Sequence, residues 1–262
     1  MCFCLIAGKR RGKLGRLETK VGIVTGGGSG VGKAIARSFV AEGAKVVIAG
    51  RNAKKLTEAA AEIGVVDSTV FPIPTDVTGE AQVNSLFERV REVLGRVDIL
   101  VNNAGATDGG PLTELSLETW DKVITTNLRG PFLCTRAAMW IMKAQGGGRI
   151  LNIGSISAQR PRLNSAPYAT SKFGLWGLTI VTALEGREHG ISACCLHPGN
   201  VRLEGSVEEA GTTTGIPGYA SEAMMKPEEI AEVATVMASL PPHMNMLEAI
   251  VLPVKQAYLG RG

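Results

Sequence analysis

The sequence predicts one α/β domain built on a doubly wound parallel sheet, with helices on both faces. Short apolar runs recur along the 262 residues, and longer amphipathic segments separate them. These runs are largely apolar and do not alternate between apolar and polar residues, as a strand with one face in water does; such runs are typical of strands covered on both faces. The length suits a single large α/β domain, and no repeat or Pro/Ser-rich linker divides the chain. We therefore expect one domain over residues 17–262.

Each predicted element has its own stretch of sequence. The predicted strands are residues 21–25, 45–49, 69–74, 99–101, 149–153, 191–196 and 249–254. The predicted helices are residues 31–42, 53–63, 80–94, 112–133 with a continuation to 145, 168–188, and a last one that starts near Pro227. In the first helix Ala34, Ile35, Ser38 and Phe39 fall on one side, the spacing of a helix face that packs on a sheet.

The composition excludes several classes of protein. The 33 glycines show no Gly-X-Y period, which excludes collagen, and the 45% hydrophobic content argues against disorder. The five cysteines are an odd number, two of them are adjacent, and none forms a Cys-x-x-Cys pair. The three histidines are isolated, so we expect no metal site. This cysteine usage favours reduced thiols and a cytoplasmic enzyme.

The positive charge of the chain lies in its first residues. Residues 1–20 contain six basic residues and one acidic residue, a net charge of +5, while the whole chain has a net charge of +4. The remaining 242 residues therefore carry a net charge of −1, whereas a nucleic-acid-binding domain needs a basic face within the fold. We expect no nucleic-acid partner.

Residues 1–16 form a basic segment ahead of the first strand. Their apolar run, residues 1–7, precedes the charges, while a secretory signal has the opposite order and a longer apolar stretch. We interpret the segment as a disordered or non-native extension, with an organellar targeting signal and a docking arm as the alternatives. No apolar run in the sequence approaches the roughly 18 residues of a membrane span, so we expect no membrane partner.

A glycine-rich turn follows the first predicted strand and leads into the first helix. Its spacing, Gly26-x3-Gly30-x-Gly32, differs from the usual Gly-x-Gly-x-x-Gly, and no Lys-Ser/Thr follows as in a P-loop. Glycine lets the chain turn tightly and approach a pyrophosphate, and a helix N-terminus offers free N–H groups to phosphate. A flexible turn is the alternative, but the strand before it favours a dinucleotide site of the Rossmann type. The candidate cofactor-binding residues here are Gly26, Ser29, Gly30, Val31 and Gly32.

Three further motifs fall where a parallel sheet binds its ligands. Residues 102–105, Asn-Asn-Ala-Gly, follow the strand at 99–101, and Ser155 follows the strand at 149–153. Tyr168 and Lys172 are four residues apart, so a helix presents them on one face. A free tyrosine has a pKa of about 10 and is a poor base at neutral pH, but a lysine ammonium nearby favours the phenolate. Each motif alone also fits an ordinary turn or helix face.

Together these motifs resemble the short-chain dehydrogenase/reductase family over about residues 20–254. The resemblance implies that Tyr168 transfers a proton at the alcohol or carbonyl oxygen of a substrate. It implies that Lys172 assists Tyr168 and binds the nicotinamide ribose, and that Ser155 hydrogen-bonds the substrate oxygen. Asn127 matches the family asparagine that holds a water between the lysine and solvent. Ser157 is a rival to Ser155, but its spacing to Tyr168 does not match the family.

The resemblance also implies which residues contact the cofactor. Those expected near the adenosine half are Asp76, Val77, Asn103, Ala104 and Gly105. Those expected near the nicotinamide half are Tyr168, Lys172, Pro198, Gly199 and Val201. The chain departs from the family pattern at two places: Arg202 and Leu203 stand where a threonine is common, and residues 249–254 lack the Asp-Gly-Gly turn of many relatives. Residues 249–254 resemble the corresponding ending in the NADP-dependent carbonyl-reductase branch of the family.

The end of the second predicted strand favours NADP(H) over NAD(H). In NAD-binding folds an acidic residue about 20 residues past the glycines accepts the ribose hydroxyls. Gly50 and Arg51 stand there, so no carboxylate repels a 2′-phosphate, and a guanidinium binds phosphate through two hydrogen bonds. Lys54 and Lys55 add positive charge, although solvated helix lysines fit the sequence equally well. An exposed loop arginine is the alternative for Arg51.

The function indicated is that of an NADP(H)-linked alcohol dehydrogenase or ketoreductase acting on a secondary alcohol or ketone. A catalytically silent sensor or scaffold that only binds dinucleotide is the alternative, although such relatives usually lack the tyrosine or the lysine. An extended epimerase or dehydratase needs a larger C-terminal domain than this length allows. The family also implies a homotetramer or homodimer formed through the long helices and the last strand.

The segment 203–226 resembles the mobile substrate lid of the family, with a plain surface loop as the alternative. Its mixture of small and apolar residues favours an uncharged substrate. Arg160 and Arg162, near the catalytic loop, leave an acidic substrate open.

Overall fold

Seven parallel strands form one sheet in the computed structural model, which describes residues 15–202 and 223–258. The strands are β1 (Val21–Thr25), β2 (Lys45–Gly50), β3 (Val70–Pro74), β4 (Ile99–Asn102), β5 (Gly148–Ile153), β6 (Ile191–Pro198) and β7 (Glu248–Val251). Their order across the sheet is β3-β2-β1-β4-β5-β6-β7. The winding reverses between β1 and β4, and such a sheet binds ligands there, outside the carboxyl ends of the strands. The predicted doubly wound parallel sheet is confirmed.

Helices cover both faces of the sheet. They are α1 (Gly30–Ala41), α2 (Ala53–Ile63), α3 (Glu80–Leu94), α4 (Leu117–Ile124), α5 (Gly130–Gln145), α6 (Ala166–Gly186) and α7 (Pro227–Ser239). Side chains of α1, α2 and α7 belong to one apolar core, and side chains of α3 and α5 belong to the other. Helix α6 packs against α4, α5 and β6.

Strands β1 to β6 are mostly apolar because each of them sends side chains into both cores. From β1, Val24 lies in the core shared with α1 and α7, while Ile23 lies in the core shared with α3 and α5. From β2, Ile48 and Val47 divide in the same way. Since successive side chains of a strand point to opposite faces, burial on both faces removes the alternation that a one-sided sheet would show.

The helix predicted over residues 112–133 begins later and is interrupted. The hydroxyl of Ser116 accepts the N–H of Thr119 and caps α4, so the helix starts at Leu117 and the predicted start is wrong. A π-helical turn, Thr125–Arg129, separates α4 from α5. Turns of this kind add a residue to the helical path and frequently occur at functional sites.

Other boundaries differ from the prediction by up to three residues, as the start of α6 and the end of the last strand show. Helix α6 begins at Ala166, two residues earlier than expected, because Pro167 suits the first turn of a helix. The last strand ends at Val251 and not at residue 254, because its partner β6 ends at Pro198, opposite Val251. Strand pairing therefore stops where the partner strand stops.

The described chain enters β1 through a turn that packs beside α1. Leu17 is buried in the core, and Arg16, which the prediction places in the extension, donates to the Glu42 carboxylate through its backbone N–H and Nε. Residues 1–14 of the predicted extension and residues 203–222 of the predicted lid lie outside the described residues. No helix in the described part of the chain is long and apolar enough to cross a membrane.

We expect residues 1–14 to be dispensable for folding and turnover. Their removal leaves Leu17 and the Arg16–Glu42 contact in place, so the melting temperature should shift by less than the ~2–4 °C that 1 kcal/mol produces in a domain of this size. Removing residues 1–17 is the matched control, and it should lower the melting temperature because a buried leucine contributes about 2 kcal/mol. Equal melting temperatures for the two deletions would contradict this account.

Candidate active site

The turn between β1 and α1 brings backbone close to backbone. Gly26 and Gly30 have φ angles of +66° and +52°, a region that favours glycine. At Gly32 a Cβ atom would lie 2.3 Å from the carbonyl oxygen of Gly26, so a larger residue requires a shift. The Ser29 hydroxyl makes no capping hydrogen bond to α1, and the first N–H groups of a helix have no partner within the helix. These donors and the positive end of the helix dipole suit a pyrophosphate.

Side chains from β1 and from the loop after β4 hold this turn in place. Asn103 donates through Nδ2 to the carbonyl oxygens of Thr25 (3.0 Å) and Gly26 (3.3 Å). The Thr25 hydroxyl donates to the Val101 carbonyl and accepts the N–H groups of Asn103 and Ala104. The Asn103 side chain, expected at the adenosine ribose, is thus engaged with the turn. Thr25 was not among the expected site residues, although a polar residue that ends an apolar strand is the signal that marks it.

Ser155, Tyr168 and Lys172 line one cleft of about 690 Å³ at the carboxyl ends of the strands. Ser155 follows β5, and its Oγ accepts the N–H of Ser157 at 3.1 Å. On α6 the Lys172 Nζ lies 5.6 Å from the centre of the Tyr168 ring. Lys172 is buried and donates to the carbonyl oxygen of Ile153 at 2.8 Å. The cleft therefore brings together a serine hydroxyl, a phenol and an ammonium group held by a hydrogen bond.

Asn127 lies in the π-helical turn, behind the cleft. Its Oδ1 accepts the N–H of Ala106 at 2.7 Å, and its Nδ2 donates to the Ala106 carbonyl and to the Ser171 hydroxyl. The Ser171 hydroxyl in turn donates to the carbonyl oxygen of Tyr168 at 2.7 Å. The Asn127 side chain thus connects the loop after β4 with the first turn of α6.

A smaller pocket of about 220 Å³ lies beside the glycine turn, at the end of β2. It is lined by Arg51 and Lys55 but not by Lys54, whose Nζ lies 3.9 Å from Oε1 of Glu58. Asp76 also lines the pocket: burial would raise the pKa of its carboxyl, but the hydrogen bonds from Thr78 and the charge of Arg51 outweigh burial and lower that pKa. Asp76 is therefore a carboxylate at neutral pH, and it interacts electrostatically with Arg51.

The turn after β6 forms another wall of the cleft. Pro198, Gly199 and Val201 line it. The N–H of Gly199 donates to the Val251 carbonyl at 2.8 Å, and a Cβ atom at Gly199 would lie 2.1 Å from Oε1 of Gln256. The C-terminal segment therefore packs directly behind this turn.

Most of the expected site residues share the two cavities. The larger cleft is lined by Gly26, Ser29, Gly30, Val31, Asn103, Ala104, Gly105, Ser155, Ser157, Tyr168, Lys172, Pro198, Gly199 and Val201. The smaller pocket adds Arg51, Asp76 and Val77, while Gly32 and Asn127 lie behind the cavity walls. Within residues 15–202 and 223–258, no group of three or more His, Cys, Asp or Glu residues could hold a metal ion.

Comparison with known proteins decides the family. A family model described as short chain dehydrogenase matches residues 20–212. This chain belongs to that family. The resemblance drawn from the glycine turn, Ser155, Tyr168 and Lys172 is confirmed, and the short chain dehydrogenases are oxidoreductases.

Several known proteins match about nine tenths of this chain. An uncharacterized oxidoreductase of Staphylococcus aureus (strain MRSA252) is 33% identical over 238 residues, which are 91% of this chain and 99% of that protein. A metagenomic short-chain oxidoreductase, solved in complex with NADP, is 30% identical with a TM-score of 0.77 and covers 91% of this chain and 98% of its own. A short-chain type dehydrogenase/reductase from Mycobacterium marinum is 29% identical with a TM-score of 0.80 and covers 90% and 94%.

The close contacts of Gly32 predict that a single methyl group disrupts the turn. In Gly32→Ala the Cβ atom would meet the Gly26 carbonyl oxygen at 2.3 Å and the Asn103 Nδ2 at 2.4 Å, both of which are fixed. We expect a loss of stability of about 1–3 kcal/mol, measured by denaturant unfolding, and weaker binding of dinucleotide. Gly110→Ala is the matched control, because a Cβ atom there meets nothing within 4 Å. A Gly32 variant as stable as the Gly110 variant would show that the turn can relax.

Proposed function

We propose that this short chain dehydrogenase transfers a hydride between NADP(H) and a secondary alcohol or ketone, with Tyr168 as the acid/base. The observation that carries the proposal is the presence of Ser155, Tyr168 and Lys172 in the same cleft as the glycine turn. When bound, the nicotinamide supplies or accepts the hydride, and the protein must supply the proton and stabilise the substrate oxygen. Consumption of NADPH with a panel of ketones tests the proposal directly.

Tyr168 transfers the proton in this proposal. The Lys172 ammonium group, 5.6 Å from the centre of the tyrosine ring, would stabilise the negative charge that forms on the phenol oxygen during the transfer. The hydrogen bond from Nζ to the Ile153 carbonyl fixes the ammonium group at the end of β5. Because Lys172 is buried, solvent screens its charge only weakly.

Ser155 is the proposed donor to the substrate oxygen. A serine hydroxyl has one proton to donate and lone pairs that accept. Since the Ser155 Oγ accepts the N–H of Ser157, its own proton is left for the oxygen on which charge develops. Ser157 supports Ser155 through its backbone, so we rank its side chain below that of Ser155.

The dinucleotide is proposed to extend from the smaller pocket through the glycine turn to the Pro198–Gly199 turn. The N-terminal N–H groups of α1 would bind the pyrophosphate, and Gly26 leaves room for its approach. Asp76, Val77 and the residues after β4 would contact the adenosine half. Asn127 hydrogen-bonds the loop after β4 and the first turn of α6, so it would hold that loop and Tyr168 at a fixed distance. We also propose for Asn127 the role of the matching family asparagine, which holds a water between the lysine and solvent.

NADP(H) is proposed over NAD(H) because the residues at the end of β2 suit a 2′-phosphate. Arg51 and Lys55 line the adenosine pocket, and neither Gly50 nor Arg51 offers a carboxylate to the ribose hydroxyls. The Asp76 carboxylate is already engaged by Thr78 through two hydrogen bonds. The NADP complex of the metagenomic relative supports the same choice.

The contacts of Arg160 and Arg162 favour an uncharged substrate over an acidic one. Arg160 lies over the ring of Tyr258, 6.0 Å from its centre, and does not line the cleft. Arg162 lines the cleft, but its Nη2 donates to the Oδ1 of Asn200 at 2.9 Å. Neither guanidinium is therefore dedicated to a substrate carboxylate, and we propose a neutral ketone or secondary alcohol.

Self-association and a cytoplasmic location complete the proposal. Helices α5 and α6 pack together and expose large apolar side chains, which are Trp140, Phe173, Val181 and Leu184. A surface of this kind favours contact with a second copy of the chain, in a homodimer or homotetramer. The described cysteines Cys134, Cys194 and Cys195 are free and buried, and burial raises the pKa of each thiol to about 12, as suits inert structural thiols in a reducing compartment.

Removal of the Tyr168 hydroxyl group should abolish most turnover without loss of the fold. We expect Tyr168→Phe to lower kcat by about 10²–10⁴-fold and to leave the dissociation constant of NADPH nearly unchanged. Ser155→Ala should lower kcat by about 10²–10³-fold. Steady-state kinetics and fluorescence titration with NADPH measure the two quantities.

Ser157→Ala is the matched control for Ser155→Ala, because it keeps the backbone N–H that binds the Ser155 Oγ. We expect it to retain kcat within about threefold, less than the loss from a missing transition-state donor. If Tyr168→Phe keeps more than half of wild-type turnover, or if the two serine variants lose activity equally, the assignment of roles is wrong.

The cofactor preference should reverse when the charge at the end of β2 is reversed. We expect Arg51→Ala to raise the KM for NADPH about 10–100-fold, the loss of a charge-assisted hydrogen bond, and to change the KM for NADH little. Adding Gly50→Asp should then favour NADH. Lys55→Ala should weaken NADPH selectively, while Lys54→Ala, whose side chain lies outside the pocket, is the control. A wild-type enzyme that prefers NADH in kcat/KM would contradict the proposed cofactor.

A further inference from the structure

A buried histidine lies directly behind Ser155. His197 is the β6 residue before Pro198, and its side chain has no exposure to solvent. Its Nδ1 is 2.9 Å from the carbonyl oxygen of Ser155. The ring occupies the space beside Gly154, where a Cβ atom would come within 2.6 Å of Nδ1. Trp176 of α6 meets it edge to face, with ring centroids 5.8 Å apart, so the imidazole is confined against the Ser155 peptide.

The far side of the ring faces polar side chains from three other parts of the fold. Its Nε2 is 3.5 Å from Oε1 of Glu248 in β7. The same Glu248 oxygen accepts a hydrogen bond from Nε2 of Gln159 at 2.6 Å, and Oε1 of Gln159 accepts one from the hydroxyl of Tyr258. These side chains come from β7, the loop after β5 and the C-terminal segment. They border the imidazole on the side opposite Ser155, where Nε2 makes no hydrogen bond within residues 15–202 and 223–258.

The distances favour a proton on Nδ1. A carbonyl oxygen only accepts, so the 2.9 Å contact requires Nδ1–H as the donor. An unprotonated Nδ1 would instead accept the N–H of Ser155, at the longer distance of 3.3 Å. Burial lowers the pKa of His197, the hydrogen bond to Ser155 and the charge of Glu248 oppose this, and the charge of Lys172 lowers it further. With the pKa lowered overall, the ring at neutral pH is uncharged and carries its proton on Nδ1.

We propose that His197 is a positioning residue for Ser155, whose carbonyl it holds through Nδ1–H so that the serine hydroxyl stays aimed into the cleft. The inference rests on the proposed function of Ser155 as donor to the substrate oxygen. In the present orientation of the peptide the Ser155 Oγ accepts the Ser157 N–H, which leaves the hydroxyl proton for the substrate. His197 itself does not line the cleft, so it acts through Ser155.

Three substitutions separate positioning from packing. An asparagine amide places a donor near the position of Nδ1, a glutamine amide places one near Nε2, and leucine has no donor. We expect His197→Asn to keep kcat within about threefold of wild type, and His197→Gln and His197→Leu to lower kcat about 10–100-fold, the effect of a reacting group displaced by about 1 Å. The dissociation constant of NADPH should change less than about twofold in all three, since the contact that weakens is the one from Ser155 to the substrate oxygen in the transition state.

A double-variant cycle with Ser155→Ala provides the control. If His197 acts through the serine hydroxyl, His197→Leu should lower kcat less than about threefold once that hydroxyl is absent. An equal loss in both backgrounds would overturn the proposal, and so would equal activity of the Asn and Gln variants. Should the leucine variant fail to fold, the comparison of His197→Asn with His197→Gln decides alone. A wild-type protein that consumes no NADPH with any ketone contradicts the proposed function itself, and this is seen before any His197 variant is compared.

Discussion

The hydrogen bonds from Asn103 to the carbonyl oxygens of Thr25 and Gly26 join the end of β1 to the loop after β4. Both of these segments line the cleft, so its shape depends on this junction. The two strands are neighbours because the winding of the sheet reverses between them. Asn103 can approach the turn only because Gly32 has no side chain, since a Cβ atom there would lie 2.4 Å from the amide nitrogen. The glycine turn and the loop after β4 are therefore held against each other by these hydrogen bonds.

A second junction, between the ends of β5 and β6, does the same for the polar side chains on the other side of the cleft. Lys172 donates to the carbonyl oxygen of Ile153, and the imidazole of His197 lies against the carbonyl oxygen of Ser155. Three residues of backbone are thus held at both ends by buried side chains from α6 and β6. Proton transfer depends on groups placed within a fraction of an ångström, and buried hydrogen bonds from two elements restrict the backbone more than either could alone.

The sequence predicted what local patterns determine and missed what tertiary contacts determine. Strand positions followed from continuous apolar runs, and Ser155 fell at the end of β5 because a residue after a buried strand must lie at the sheet edge. Ser116 is a residue type that commonly caps helices, so the sequence contained a signal for the late start of α4. The π-helical turn has no such local signal, and it lies where α4 and α5 pack on α6. His197 looked isolated because Ser155 and Glu248 are both more than forty residues away, and only the register of β5, β6 and β7 brings them together.

The charges at the end of β2 show why the proposed preference for NADP(H) rests on contact and not on net charge. Arg51 and Lys55 line the pocket together with the carboxylate of Asp76, so two cations face one anion. The N-terminus of α2, capped by Asn52, adds the positive end of a helix dipole at the same place. Lys54 does not line the pocket, and its Nζ lies 3.9 Å from Glu58, so we expect it to contribute less to binding a 2′-phosphate than Arg51 and Lys55. In the proposed complex, discrimination between the two cofactors therefore depends on the side chains that contact the phosphate.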